Sequence, residues 1–155
     1  MEIEVGLMKR EFTKKEAAEV LGITPRTIHF YTDQGIIIPE KANPIGRGTT
    51  RKYSRRNLIE FLLVRELAKN GMSLEKIKNV MSELRNRYDE NFLNPEGTWE
   101  EKKNRNLAKL IIYDAGSEKP LIRASWKKAV SLGVEDFSSA IVVKIGYFFR
   151  KMREV

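Results

Sequence analysis

The side chains with the most distinctive chemistry in this 155-residue sequence are cations gathered in one stretch. Residues 41–56 contain six Lys or Arg residues and no acid, in a chain of formal net charge +8. Such a concentration of positive charge favours a polyanionic partner such as nucleic acid. A solvated cationic loop is the alternative that charge alone leaves open. The six cations are Lys41, Arg47, Arg51, Lys52, Arg55 and Arg56.

Residues that could perform catalysis or bind metal are scarce. The sequence has no cysteine and one histidine, His29. This composition excludes disulfides, thiolate metal ligands and cysteine nucleophiles, and it disfavours a structural zinc site. The sequence also lacks a glycine-rich phosphate loop after a strand, an H-x-x-x-H pair and a paired-carboxylate motif. We therefore expect no enzyme, no catalytic residue, no cofactor and no metal.

The hydropathy pattern predicts a protein that works in the cytoplasm. No apolar run reaches the roughly 18 residues of a membrane span. The first ten residues carry acids early and have no sustained apolar core, so they do not resemble a signal peptide. The absence of cysteine fits the same compartment. We expect no membrane partner.

Two short helices joined by a tight turn precede the cationic stretch. Thr13 and Glu16 have the spacing of a capping box, and Gly22 is suited to end the first helix. Thr24 then predicts the N-cap of a second helix, with Pro25 at its first position and a stop at Gly35. Helices separated by so few residues must cross steeply, which is helix-turn-helix geometry. Its second helix would present its first turns to a DNA major groove.

The cationic stretch itself is predicted to be a β-hairpin wing. The β-branched residues 36–38 predict a short buried strand or extended segment. Pro44, Gly46 and Gly48 are typical of a turn, and residues 49–53 could return as the second strand. The hairpin would carry a basic tip that reaches a DNA backbone.

Two further helices are predicted after Ser54 and after Ser73, both of which are suitable N-caps. The last of them has apolar residues spaced three and four apart, which is the pattern of a dimer seam. The same spacing fits the core-facing side of an amphipathic helix, and the sequence leaves both interpretations open. The residues are Leu74, Ile77, Met81, Leu84 and Tyr88.

The rest of the chain predicts a second, smaller unit. Residues 89–106 are polar and read as a linker. Strands are predicted over residues 107–113, 120–124 and 139–145, followed by a helix over 146–153. So small a unit is marginal alone, which favours self-association. The predicted fold class is α+β: a mainly helical winged helix-turn-helix domain over 11–88, and a small C-terminal α/β unit of about three strands and a terminal helix over 107–155.

Three strings carry a resemblance to a known family: FTKKEAAEVLGITPRTIHFYTDQGII, then RGTTRKYS, then LIEFLLVRELAKNGMSLEKIKNVM. In this order they resemble the MerR family of bacterial transcription regulators over about residues 11 to 84. The resemblance implies a sequence-specific regulator that binds a palindromic promoter site in double-stranded DNA as a homodimer and distorts it. RNA polymerase is a further candidate partner. Distortion implies indirect readout, with a deformation cost of ~1–6 kcal/mol.

The resemblance also assigns roles to residues. It implies base and backbone contacts on the first turns of the second helix and phosphate contacts from the wing. At His29 the family most often has arginine, and the alternative is that His29 packs beneath the wing. Thr50 departs from the tyrosine usual in the wing. Arg26 is the best candidate for a guanine contact, and a phosphate contact is its alternative. The predicted DNA-binding residues are Thr24, Arg26, Thr27, His29, Phe30, Arg47, Arg51, Lys52 and Tyr53.

Other functions remain open at this stage. One alternative is an excisionase-like or architectural DNA-binding protein, although a second unit is unusual in that class. Another is an enzyme or interaction module that uses a winged domain. The C-terminal unit could bind an unidentified effector, with Trp126, Tyr147, Phe148 and Phe149 around a pocket. It could equally only dimerise, through the edge of residues 139–145 or through Phe148 and Phe149.

Overall fold

A computed structural model describes residues 9–40, 51–88, 93, 108–125 and 139–153. The predicted α+β class is confirmed, because helices form most of the first half and short antiparallel sheets complete the fold. No helix in these ranges is both long and apolar enough to cross a membrane. The elements are β1 (Glu11–Phe12), α1 (Lys14–Leu21), α2 (Pro25–Asp33), β2 (Tyr53–Ser54), α3 (Arg55–Lys69), α4 (Leu74–Arg87), β3 (Lys109–Tyr113), β4 (Leu121–Ser125), β5 (Ala140–Val143) and α5 (Ile145–Arg153).

The caps of α1 and α2 form as their residue types predict. The Thr13 hydroxyl accepts from the Glu16 backbone N–H at 3.2 Å, and the Glu16 carboxylate accepts from the Thr13 N–H at 3.0 Å. Gly22 ends α1 with φ at 65°, a left-handed conformation that favours glycine. Thr24 then caps α2, whose first residue is Pro25. The turn between the helices is therefore as tight as the sequence predicts.

Residues 36–38 differ from the strand that their β-branched side chains predict. The backbone N–H groups of Ile36 and Ile37 both donate to the carbonyl oxygen of Tyr31, at 3.1 and 3.2 Å. The chain thus folds back over the end of α2, and these two side chains are fully buried while Ile38 is exposed. Tyr53–Ser54 pairs instead with Glu11–Phe12 in an antiparallel ribbon. The predicted wing tip, residues 41–50, lies outside the described residues.

Helix α3 runs through the centre of the molecule, and α4 packs beside it. Most residues of α3 are buried, including the whole run from Asn57 to Val64. On α4, Ile77, Met81 and Leu84 are at most 2% exposed within this single chain. The apolar spacing of α4 therefore serves the chain's own core, which favours the core-helix interpretation over a dimer seam.

The C-terminal segments form the predicted three-stranded sheet and terminal helix. The strand order is β4-β3-β5, with both pairings antiparallel. The sheet packs through β4 on α4, and α5 packs on α3. Phe148 and Phe149 are 6% and 1% exposed and belong to the same apolar cluster as the N-terminal helices. They are therefore occupied within the chain, and a dimer contact through them is not supported. The predicted linker, residues 89–106, lies outside the described residues except for Leu93, which is buried.

Candidate nucleic-acid interface

Helix α2 has one buried side and one exposed side. Ile28 is completely buried, and Thr32 is 9% exposed. Arg26 and His29 lie on the exposed side together with Phe30, whose ring is unusually open for an aromatic side chain at 45% exposure. The Phe30 ring meets Tyr31 edge-on, with 5.4 Å between ring centroids. The exposed side thus presents cationic, aromatic and hydroxyl groups together.

Two of the predicted contact residues form the N-terminal cap of α2. The Thr24 hydroxyl accepts from the Thr27 backbone N–H at 3.2 Å, and the two threonine hydroxyls are 2.9 Å apart. This pair fixes the helix start, where backbone N–H groups point outward and favour an anion. Both hydroxyls retain hydrogen-bonding capacity, because a hydroxyl has one donor and two acceptor positions.

Arg26 is the second residue of α2, in its first turn, and is exposed. In the described part of the chain no acid forms an ion pair with its guanidinium. A free guanidinium can match the two acceptors of a guanine edge or bind a phosphate. The surroundings of Arg26 are compatible with both roles that the sequence leaves open.

Asp33, the last residue of α2, brings two other predicted contacts together. Its Oδ1 is 2.8 Å from Arg51 Nη1, and its Oδ2 is 2.8 Å from His29 Nε2. The hydrogen bond from Arg51 is the main cause of a lowered pKa at Asp33, so this carboxyl is ionised at neutral pH. The same contact raises the pKa of Arg51. His29 is exposed, so the alternative that it packs beneath the wing is not what the structure has.

Tyr53 lies in a different environment from the other predicted contacts. It is 1% exposed, its ring meets Phe61 at 5.7 Å between centroids, and its hydroxyl is 2.9 Å from the Thr32 hydroxyl. Thr32 in turn donates to the Ile28 carbonyl oxygen at 2.8 Å. Tyr53 thereby joins β2 to α2 from inside the protein, and its phosphate contact stays a prediction.

Lys52 is partly exposed next to Tyr53, close enough for its charge to lower the pKa of Glu16. The main cause of that lowered pKa is the hydrogen bond from Lys9, whose Nζ is 2.8 Å from the Glu16 carboxylate. Glu16 also forms the cap of α1. Of the two cations Arg51 and Lys52, it is Arg51 that forms an ion pair with an acid, Asp33.

Asn57 fixes the two ends of the loop that contains the predicted wing tip. Its Oδ1 accepts from the backbone N–H groups of Glu40 at 3.1 Å and Ser54 at 3.0 Å, one on each side of residues 41–50. Its Nδ2 donates to the Ile38 carbonyl oxygen at 2.9 Å and to Glu60 at 3.1 Å. One buried amide thus has all its hydrogen-bonding positions filled and sets where the loop begins and ends.

A buried acid lies directly below this amide. Glu60 is 3% exposed, and burial raises its pKa despite the nearby cations Arg56 and Arg85. Arg56 Nε is 3.2 Å from Glu60 Oε1. Arg85 of α4 donates to the Ile36 carbonyl oxygen. The network joins α3, α4 and the segment that leaves α2, so it supports the interface from beneath.

Of the six clustered cations, Arg55 is buried and Arg56 is only partly exposed, so the basic stretch is not uniformly exposed. Arg55 is 3% exposed and donates to the carbonyl oxygens of Lys9 and Met152, both at 2.8 Å. The Arg56 side chain is 19% exposed and pairs with Glu60. Both belong to the first turn of α3, and Arg55 would have to give up its two backbone partners to contact DNA.

The predicted contact residues thus separate into three groups. Thr24, Arg26, Thr27, His29 and Phe30 share the outer side of α2, and Arg51 joins them through Asp33. Lys52 lies beside them, and Tyr53 is beneath. Arg47 lies outside the described residues. Sequence reasoning missed Asp33, although its spacing of four from His29 on a helix is a readable signal.

Away from this surface, the described ranges contain an open groove and no candidate metal site. No group of three or more His, Cys, Asp or Glu side chains there could hold a metal ion. An open groove of about 500 Å³ lies between the end of α3, β5 and α5, and Tyr147 and Phe148 line it together with Glu66 and Lys144. Of the other predicted pocket residues, Phe149 is in the core and Trp126 lies outside the described residues.

Helices α1 and α2, their three-residue turn and the ribbon beside them define a helix-turn-helix region. Residues 12–84 match the family model described as MerR HTH family regulatory protein, so the resemblance expected over about residues 11 to 84 is confirmed. This part of the chain is a MerR-type helix-turn-helix domain.

Three curated relatives are each 28% identical to this chain over 71 residues. They are uncharacterized HTH-type transcriptional regulators of Mycobacterium bovis and of two strains of Mycobacterium tuberculosis. The match covers 46% of this chain and 32% of the length of these relatives, so the chain corresponds to about a third of each relative.

Among solved structures, the chain is similar to HiNmlR, a MerR family regulator lacking the sensor domain, whose crystal structure is bound to promoter DNA. The sequence identity is 27% and the TM-score is 0.43. The likeness covers 48% of this chain and 56% of that chain.

Proposed function

We propose that this protein is a sequence-specific DNA-binding transcriptional regulator of the MerR type. The observation that carries the proposal is the outer side of α2, on a MerR-type helix-turn-helix domain. That side presents Arg26, unpaired among the described residues, beside the hydroxyls of Thr24 and Thr27. These groups belong to the first turns of the second helix, which enter the major groove in helix-turn-helix proteins.

In the proposed interface, some residues contact base edges and others contact the DNA backbone. Arg26 is assigned a base edge, because a guanidinium matches the two acceptors of guanine. Arg51 is assigned a phosphate, because it contacts Asp33 at the end of α2, and Lys52 is assigned one as the next cation along the chain. Phosphate contacts position a protein on DNA, and base contacts specify the sequence. His29 lies between the two groups and is assigned a backbone contact.

The proposed regulator acts as a homodimer on a palindromic promoter site that it distorts, with RNA polymerase as a further partner. The family resemblance supports this assembly, and a two-fold symmetric dimer would place two copies of α2 about 34–36 Å apart, one turn of DNA. Among the described strands β5 is at one edge of its sheet, with Val142 40% exposed. This edge is the proposed C-terminal contribution to the dimer. Such a regulator would work in the cytoplasm and would not be an enzyme.

The first experiment asks whether the protein selects a DNA sequence. Purified protein is incubated with a library of randomised duplexes, and bound duplexes are amplified and sequenced over several rounds. We expect an enriched palindrome. If no sequence is enriched at any salt concentration, promoter recognition is refuted. Enrichment of bent or flexible sequence without a palindrome would support the architectural alternative instead.

Two substitutions then separate base contact from backbone contact. Arg26→Ala should weaken binding to the enriched duplex by about 1–3 kcal/mol and binding to a scrambled duplex much less. Arg51→Ala should weaken both duplexes alike and reduce the salt dependence by about one phosphate. Arg87→Ala, an equal charge change at an exposed position near the end of α4, is the matched control. Equal effects of Arg26→Ala and Arg51→Ala would overturn the division.

A further inference from the structure

The carboxylate of Asp33 contacts two of the residues that the proposed function assigns to the DNA backbone, Arg51 and His29. One of its oxygens is 2.8 Å from Arg51 Nη1 and the other is 2.8 Å from His29 Nε2. All three side chains are well exposed, with 39% to 54% of each accessible. An acid at the centre of a proposed DNA interface needs an explanation, because it repels the phosphates that its neighbours would bind.

The stability of α2 does not explain an acid at this position. Asp33 is the last residue of the helix, where the negative end of the helix dipole disfavours a carboxylate. Local helix energetics would therefore favour a neutral or basic residue in place of Asp33.

The attachment of β2 to α2 does not explain Asp33 either. The adjacent residue, Thr32, already joins the two elements through a buried hydrogen bond to Tyr53 at 2.9 Å. An exposed ion pair adds little to that connection, because water and salt screen it and two flexible side chains lose freedom. The contacts of Asp33 therefore matter more for the two side chains it holds, Arg51 and His29, than for the fold.

We propose that Asp33 is a positioning residue that sets DNA specificity: it holds Arg51 and His29 in one orientation, which suits a phosphate of correctly docked DNA and disfavours phosphates in other positions. This inference rests on the proposed DNA-binding function. Asp33 itself makes no base contact. It acts by limiting what its two partners can reach.

The geometry supports this role because the contact with Asp33 leaves other hydrogen-bond donors of Arg51 available. The Arg51 guanidinium contacts Asp33 through Nη1, and a guanidinium has five N–H donors in a rigid plane, so further donors remain. Holding one edge of that plane fixes the direction of the others. A phosphate in that direction meets an oriented donor, whereas a phosphate elsewhere meets the carboxylate or must displace it.

The same arrangement weakens binding to random DNA. Non-specific binding depends almost entirely on phosphate contacts and counterion release, so it is sensitive to any acid beside the contacting cations. The lowered pKa of Asp33 means that this acid stays charged at neutral pH. In a correctly docked complex the base contacts of α2 fix the register, and the oriented cations need no rearrangement. Asp33 thus discriminates between the two kinds of complex.

Asp33→Asn tests the proposal, because asparagine keeps the size of the side chain and removes its charge. The probes are the duplex that the wild-type protein enriches from a random library and a scrambled duplex of the same length and composition. We expect the scrambled duplex to bind about two- to fivefold more tightly and the enriched duplex to change less, so the ratio of the two affinities falls. An unchanged or increased ratio overturns the proposal.

The control is Glu118→Gln, an equal charge change at an exposed position between β3 and β4 of the C-terminal unit. It should shift both duplexes equally and slightly. Asp33→Asn should melt within about 4 °C of wild type, since the ion pairs are exposed. A larger loss of melting temperature would show that Asp33 is part of the fold and would also overturn the proposal.

A double-mutant cycle tests whether Asp33 acts through its partner. In an Arg51→Ala background, Asp33→Asn should change the affinity ratio by less than half as much as in wild type. An undiminished effect would mean that Asp33 acts as a general charge, and it would overturn the positioning role. Failure of the wild-type protein to enrich any duplex would instead refute the proposed function, so the two failures are distinguishable.

Discussion

The residues just before β2 and the first turn of α3 contain the same residue type in opposite environments. Arg51 and Arg55 are four positions apart. The Arg51 side chain is 39% exposed and pairs with an exposed acid, whereas Arg55 is 3% exposed and donates to two backbone carbonyl oxygens. One arginine can exchange its partner for a phosphate at little cost. The other holds distant parts of the chain together.

This difference shows what a run of charge in a sequence leaves undetermined. Charge density predicts a preference for polyanions, but the direction of each side chain depends on the helix that carries it. Ser54 caps α3 immediately before Arg55, so the chain changes from extended to helical between the two arginines. The helix then directs Arg55 and Asn57 inward, where each finds backbone partners that offset the loss of water.

Substitution of Arg55 tests the contrast between the two arginines most directly. Arg55→Ala should lower the free energy of unfolding by about 2–4 kcal/mol, because it removes charge-assisted hydrogen bonds and leaves buried carbonyl oxygens unpaired. Urea denaturation followed by circular dichroism would measure the change. Arg51→Ala is the matched control and should stay within about 0.5 kcal/mol of wild type. Equal destabilisation by the two variants would contradict the distinction.

Arg55→Lys extends the same test. Lysine keeps the charge but lacks the planar fork that reaches two carbonyl oxygens, so it should recover little of the lost stability. Full recovery by lysine would show that charge, rather than the directed hydrogen bonds, holds the first turn of α3 in place.

The buried acid Glu60 and the exposed acid Asp33 should respond to pH with opposite signs. Burial raises the pKa of Glu60 above its ordinary value of 4.5, so the folded state binds the proton more tightly than the unfolded chain. The resulting stability is present at low pH and is lost as pH rises from about that value through the raised pKa. Glu60→Gln should lack this loss in urea titrations at a series of pH values.

Asp33 provides the contrast. Its pKa is lowered from 3.8, mainly by Arg51, so any stability it contributes is present above that value and is lost as pH falls. The effect should be small because the pair is exposed. The difference between wild type and Asp33→Asn should therefore shrink toward low pH. A Glu60→Gln difference curve of the same sign as that of Asp33→Asn would refute the contrast.

Substitution of Tyr53 should cost less stability than Arg55→Ala. Tyr53→Phe removes the hydroxyl bonded to Thr32 and should cost about 0.5–1.5 kcal/mol. The low end is favoured because Thr32 still donates to Ile28 and is not left as an unpaired donor. Thermal melting would measure it. Binding to the scrambled duplex tests the sequence-predicted phosphate contact: normal stability with weakened binding would support that contact.

Local signals predicted much of the fold. Thr13 with Glu16, Gly22, and Thr24 with Pro25 each define a helix end through interactions within a few residues, and all occur as expected. Residues 36–38 were not predictable in the same way. Their β-branched side chains favour a strand, yet the free carbonyl oxygen of Tyr31 at the end of α2 takes two of their N–H groups. Hydrogen bonding to the end of α2 therefore outweighs the strand preference of these side chains.

The candidate site was predictable where a single helix presents it. The outer side of α2 follows from helical periodicity, so Arg26, His29 and Phe30 could be placed from sequence. The burial of Tyr53 and Arg55 depends on contacts with Thr32 and Met152, which are distant in sequence. Asp33 required knowing that Arg51 comes within 2.8 Å of it. Periodicity carries no information about such pairs.

The hydrogen bonds of Arg55 also affect the order in which the protein can fold during synthesis. They connect residues separated by 46 positions toward one end of the chain and 97 toward the other. Contacts between residues so far apart in sequence close large loops and form late in folding. On the ribosome, the start of α3 cannot reach its final hydrogen bonding until Met152 has been synthesised. Helix α2 is synthesised before Met152, so the hydrogen bond that joins the start of α3 to Met152 can form only after α2 has been made.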